Sequence, residues 1–168
     1  MKCLAFAVGV ALLLFGSTGL TSADVITDWN ERAVAAGYVA GVTPGASARN
    51  IAMIHIAMFE ALNSVEPRYA PYRKRLTTES SASREAAAAG AAHYILIRLY
   101  SNQAKEFDKT LEASLAAVPD GASKTEGIRL GEQAARAMLD ERRTDGADAA
   151  NTTAHSPWRG NTFPPIFR

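Results

Sequence analysis

His55, His93 and His155 are the residues with which acid–base or metal chemistry would begin in this sequence. An imidazole titrates near neutrality and is a common metal ligand. Either role needs converging partners. No H-x-x-x-H or E-x-x-H spacing accompanies any of the three. His55 falls among Ile51, Phe59 and Leu62 on a helical wheel, and His93 among alanines, Tyr94 and Leu96. Those surroundings favour a buried imidazole bonded to a backbone carbonyl or a neighbouring side chain. His155 belongs to a C-terminal tail and is expected to be exposed.

Glu60 and Asn63 share a polar edge with Arg49. The pattern allows general acid chemistry, but a buried ion pair that fixes helix packing suits it better. A third group lies from Arg68 to Arg75, where Arg68, Arg73, Lys74 and Arg75 are mixed with Tyr69 and Tyr72. Such a mixture can bind phosphate or nucleic acid. It also makes an ordinary solvated loop whose tyrosines lie on the body of the protein, which is the expectation here. The sequence contains no Gly-rich phosphate loop, nucleophile elbow or paired-carboxylate motif. No residue is therefore assigned as catalytic, cofactor-binding or metal-ligating.

The elements that position these groups begin after an N-terminal export signal. Lys2 is followed by an apolar run from Leu4 to Leu20 and by the small residues Thr21-Ser22-Ala23. This pattern predicts a secretory signal peptide over residues 1–23, cleaved after Ala23. A retained anchor is the rival, but the run is short and no charged stop sequence follows. The product is expected to be secreted or periplasmic, with no membrane association after cleavage. Cys3 is the only cysteine and leaves with the signal, so no disulfide, thiolate zinc site or cysteine nucleophile is available afterwards. Of 18 basic residues only Lys2 is lost, which leaves 17 against 17 acidic ones. A neutral chain has no global pull toward nucleic acid or anionic lipid.

Residues 24–146 read as one all-α domain, a bundle of about five helices. The first runs from Asp24 to Ala40, with Ile26, Trp29, Ala33 and Ala36 at helical spacing and Asp24 or Thr27 as cap. Thr43 and Pro44 start the second. From Ile51 to Leu62 only His55 and Glu60 are not apolar, so this helix is expected to be the one around which the rest packs. Asn63-Ser64 should fray ahead of Pro67 and Pro71. Ser83 caps a third helix to Tyr100, whose Ala-rich first half lets another helix approach closely. Ser101 caps a fourth, with Phe107, Leu111, Leu115 and Val118 on one stripe. Ser123 and Glu126 form a capping box for the fifth, with Ile128, Gly131, Ala135, Met138 and Leu139 inward and Gly146 as stop. Residues 147–168 form an extended tail with Pro157, Trp158, Phe163, Pro164 and Pro165.

Several segments resemble one known family. They are D-V-I-T-D-W-N (Asp24–Asn30), A-R-N-I-A-M-I-H-I-A-M-F-E-A-L-N-S-V-E-P-R-Y (Ala48–Tyr69), S-L-A-A-V-P-D-G (Ser114–Gly121), I-R-L-G-E (Ile128–Glu132) and W-R-G-N-T-F-P-P (Trp158–Pro165). In this order they resemble the secreted bacterial vanadium-dependent haloperoxidases of the type 2 phosphatidic acid phosphatase superfamily. The resemblance implies an all-α protein whose C-terminal half holds vanadate or phosphate through K-x6-R-P, P-S-G-H and S-R-x3-G-x-H. None of these motifs occurs in the sequence. Ser83-Arg84 with Gly90 and His93 has the wrong spacing, S-R-x5-G-x-x-H. The resemblance thus implies an N-terminal helical scaffold without the oxyanion-binding half, inactive alone. Vanadate is expected only with that half, and the expected partners are that half or a second copy. A free-standing secreted helical binding module is the alternative.

Overall fold

A computed structural model describes residues 24–73, 76–78 and 81–147. The signal segment, the tail with His155, and Lys74 and Arg75 lie outside the described residues. Within them the protein is all-α: α1 (Val25–Val39), α2 (Pro44–Val65), α3 (Arg84–Leu99), α4 (Ala104–Leu115) and α5 (Ala122–Arg142), with a 3₁₀ turn at Ser101–Gln103. No strand occurs among the described residues, and no described helix is long and apolar enough to cross a membrane.

Three starts follow the local chemistry read from the sequence. Asp24 Oδ1 accepts the Ile26 N–H at 3.3 Å. Thr43 Oγ1 accepts that of Ala46 at 3.4 Å, with Pro44 as the first helical residue. Ser83 Oγ accepts that of Ala86 at 3.2 Å. Each satisfies a backbone donor that the first turn leaves without a partner.

The other two starts differ from expectation. Ser101 does not cap α4: it opens the 3₁₀ turn, and α4 begins at Ala104 without a side-chain cap. The S-x-x-E box at Ser123 and Glu126 is not formed. The turn at Asp120-Gly121 places Gly121 (φ +148°) at the N-cap, so Ser123 is already inside α5. The Ser123 carbonyl instead accepts the Ser83 N–H at 2.9 Å, which ties the starts of α3 and α5 together. Glu126 pairs with Arg129 at 2.6 Å.

The hub is α3, not α2. Every residue from Ala86 to Ala92 is buried, and α3 packs on all four other helices. Small side chains explain the difference. A helix of alanines can be approached on all sides, whereas α2 buries one face and leaves Ala52 exposed and Ile51, Ile56 and Leu62 half-buried. The helix that comes closest is α5. A Cβ on Gly131 would lie 2.2 Å from the Ala87 carbonyl oxygen, and one on Gly127 would lie 2.5 Å from that of Ser83. The buried face of α5 accordingly runs through Gly127, Leu130, Gly131, Ala134, Ala135 and Met138, with Ile128 and Leu139 at its edges.

Candidate functional site

Each candidate group is held by a partner distant in sequence. His93, half-buried on α3, donates from Nε2 to Asp108 Oδ1 of α4 at 2.8 Å. Its ring stands edge-on to the buried Trp29 of α1, with centroids 6.3 Å apart and planes at 77°. The Trp29 indole N–H donates to Ser114 Oγ at 3.2 Å, and that hydroxyl donates to the Thr110 carbonyl at 2.9 Å. An imidazole oriented by a carboxylate is the arrangement of a general base. Here the neighbouring hydroxyl already donates to the backbone and accepts from the indole. The cluster therefore joins α1, α3 and α4 and presents no activated nucleophile.

His55 is half-buried on α2. Its Nε2 donates to Asn30 Oδ1 of α1 at 2.9 Å, so the expected side-chain partner is present. Replacing His55 with alanine is expected to cost about 1–3 kcal/mol, from an orphaned amide oxygen and lost packing. Thermal melts check the cost, and elemental analysis should show no change in metal content. Stoichiometric zinc or iron lost with the imidazole would contradict this role. No cluster of three or more His, Asp or Glu that could hold a metal occurs among the described residues.

The expected Arg49–Glu60 ion pair is not formed. Eleven residues separate the two along α2, which at 1.5 Å per residue is about 16 Å. Arg49 instead reaches Asp145 beyond α5, at 2.9–3.1 Å, and the Arg142 carbonyl at 2.9 Å. Glu60 is buried, and its carboxylate accepts the backbone N–H groups of Tyr72 and Arg73. Asn63 and Ser64 do not fray; both are buried and bind the same loop. Asn63 Oδ1 accepts from the Arg68 and Tyr69 N–H groups, each at 3.0 Å, and its amide donates to the Tyr69 carbonyl at 3.0 Å. Ser64 Oγ accepts from the Leu76 N–H at 3.1 Å. The polar edge of α2 is thus a latch for the following loop.

Among the described residues of that loop, both arginines are paired. Arg68 pairs with Glu66, and Arg73 pairs with Glu141 at 2.6 Å and donates to the Ala137 carbonyl. Tyr72 Oη accepts from Arg142 at 2.8 Å, and Tyr69 leans on Phe59 with ring centroids 6.3 Å apart.

The ion pairs predict a pH response. Burial opposes ionisation of Asp145, but the Ala147 N–H and the Arg49 guanidinium outweigh it and hold this carboxyl below the usual aspartate range. The hydrogen bond from Arg68 does the same for Glu66, as does that from Lys109 for Glu106. A carboxyl lowered in the folded state adds stability above its unfolded pKa and loses it as pH falls through the folded value. Melting temperature should therefore hold from neutrality to about pH 5 and drop below about pH 4. Arg49→Met should shrink that drop, modestly because the pairs are exposed.

The partners Asn30, Asp108 and Asp145 were not legible in the sequence. They lie 25, 15 and 96 residues from His55, His93 and Arg49, beyond any local spacing rule. No protein-family model matches the chain, and no curated protein or solved structure matches it.

Proposed function

We propose that residues 24–146 are the N-terminal helical scaffold of a secreted or periplasmic protein of the vanadium-dependent haloperoxidase kind. The observation that carries this reading is that the first resemblance segment is bonded to the second and the third, while residues of the others pack on the rest of the bundle. Asn30 of D-V-I-T-D-W-N accepts from His55 of the long central segment. Trp29 of the first segment donates to Ser114, which opens S-L-A-A-V-P-D-G. Glu60 and Asn63 hold the loop that begins at E-P-R-Y. Gly131 of I-R-L-G-E seats against Ala87 and Ala91 of the hub. These residues do packing work, which suits a scaffold.

Oxyanion chemistry of this family's kind needs several cationic donors converging on one transition state. The motifs that supply them are absent from the sequence, and Arg49, Arg68, Arg73 and Arg84 are each paired with a carboxylate. In this reading vanadate or phosphate binds only where a C-terminal helical half is supplied. Purified chain with orthovanadate, bromide and peroxide should show no halogenation, and with a phosphate ester no hydrolysis above buffer. Robust vanadate-dependent turnover would overturn the proposal.

The second reading is a free-standing helical binding module. What favours it is the exposed apolar surface at the end of α1, where Tyr38 is 89% and Val39 68% accessible. A surface of this kind serves a partner as readily as it serves a second half.

A further inference from the structure

We infer that the groove between α1 and α4 is a docking slot for a basic amphipathic helix of a partner polypeptide. The two helices pack on α3 but scarcely on each other. Between them lies an open groove of about 1140 Å³. Val25, Asp28 and Ala35 line it from α1, and Glu106, Thr110 and Ala113 from α4, each set at helical spacing. Two helices that pack on a common third helix and scarcely on each other leave a groove into which another helix, about 10–12 Å across with its side chains, can be set. The alanines at 35, 113 and 117 keep the walls low, so a third helix axis can come close.

Charge selects the occupant. Five carboxylates and three cations line the groove. Lys109 is already on Glu106 at 2.8 Å, and Arg84 is on Glu66 at 3.0 Å. Among the described residues, Asp24, Asp28, Glu31 and Glu85 then face Arg32, which also lies near Glu106. Asp24 and Asp28 sit at the start of α1 and Glu85 at that of α3, where each helix dipole offsets about half a charge. Roughly two negative charges stay uncompensated among the described residues after that offset, and about one where cleavage after Ala23 leaves an α-ammonium on Asp24. Lysines or arginines flanking an apolar helix face would complement them. A second copy docked groove to groove would set acid against acid, because an isologous contact pairs identical surfaces. The inference uses the groove alone and does not depend on the haloperoxidase-like reading.

The test is fluorescence anisotropy of a labelled peptide of about 15 residues, with leucine and alanine on one face and lysine on its flanks. Binding to the full chain is expected at micromolar Kd and should weaken with salt. A peptide with glutamate for lysine should not bind. Ala113→Trp fills the slot from an exposed position and should weaken binding at least about tenfold. Glu31→Lys, on the exposed rim, should weaken it about fivefold and guards against a folding defect in the first variant. Asn102→Ser, exposed and outside the groove, should change nothing. Absence of binding, equal binding of the acidic peptide, or full affinity in Ala113→Trp would overturn the inference. So would a sedimenting dimer that Ala113→Trp dissociates, since the second copy would then be the occupant.

Discussion

Gly131→Ala lowers the stability of the bundle by about 3 kcal/mol or more, although alanine is the better helix former by about 1 kcal/mol. The reason is the contact between α3 and α5. The new methyl would lie 2.2 Å from the Ala87 carbonyl oxygen and 2.6 Å from the Ala91 nitrogen. Both are backbone atoms of the hub helix and cannot swing aside. The helices must separate, and the run from Ala86 to Ala92 loses the close contact that its small side chains permit. Gly45→Ala is the control. Gly45 lies in the first turn of α2 with open space around its Cβ direction, so the same change there should stabilise by up to about 1 kcal/mol. Urea unfolding of the two variants measures the contrast. Equal or raised stability in Gly131→Ala would mean that α3 and α5 do not meet as described.

Trp29→Ala should cost about 3–5 kcal/mol, the usual range for removing a large core aromatic. Trp29 is fully buried and sits where α1 meets both α3 and α4. Its loss removes the edge contact to His93, frees the Ser114 hydroxyl and leaves a void that α1 alone cannot close. Trp29→Phe keeps most of the volume but not the indole N–H, and should cost about 1–2 kcal/mol. Chemical denaturation with far-UV circular dichroism separates the two. A cost below about 1 kcal/mol for the alanine variant would show that α1 is not anchored through this residue.

The number of helices and three of their starts were legible because they depend on local chemistry. Asp24, Thr43-Pro44 and Ser83 act within three residues of themselves. The identity of the hub was not legible by the same route. Hydropathy ranks the Ile- and Met-rich α2 above the alanines of α3, but packing depends on how closely helices can approach. Gly127 and Gly131 on α5 held that information only in combination with Ala87 and Ala91 on α3. The capping box failed for a related reason: Gly121 turned the chain two residues earlier, and Ser123 was already helical. Arg49 and Glu60 show the limit for side-chain pairing. They share a face of α2, yet each is held by a group from elsewhere in the chain, Asp145 and the Tyr72–Arg73 backbone. His55 and His93 were read as structural from their apolar surroundings, and the bonds to Asn30 and Asp108 supply the partners that reading required.

The scaffold proposal is tested most directly by reading the coding DNA beyond Arg168. The expected result is a frame, in register or displaced, that encodes K-x6-R-P followed by P-S-G-H and S-R-x3-G-x-H. Expressed as a separate polypeptide, its product should bind this chain. A stop codon followed by nothing that encodes those motifs would overturn the scaffold proposal and leave the free-standing binding module.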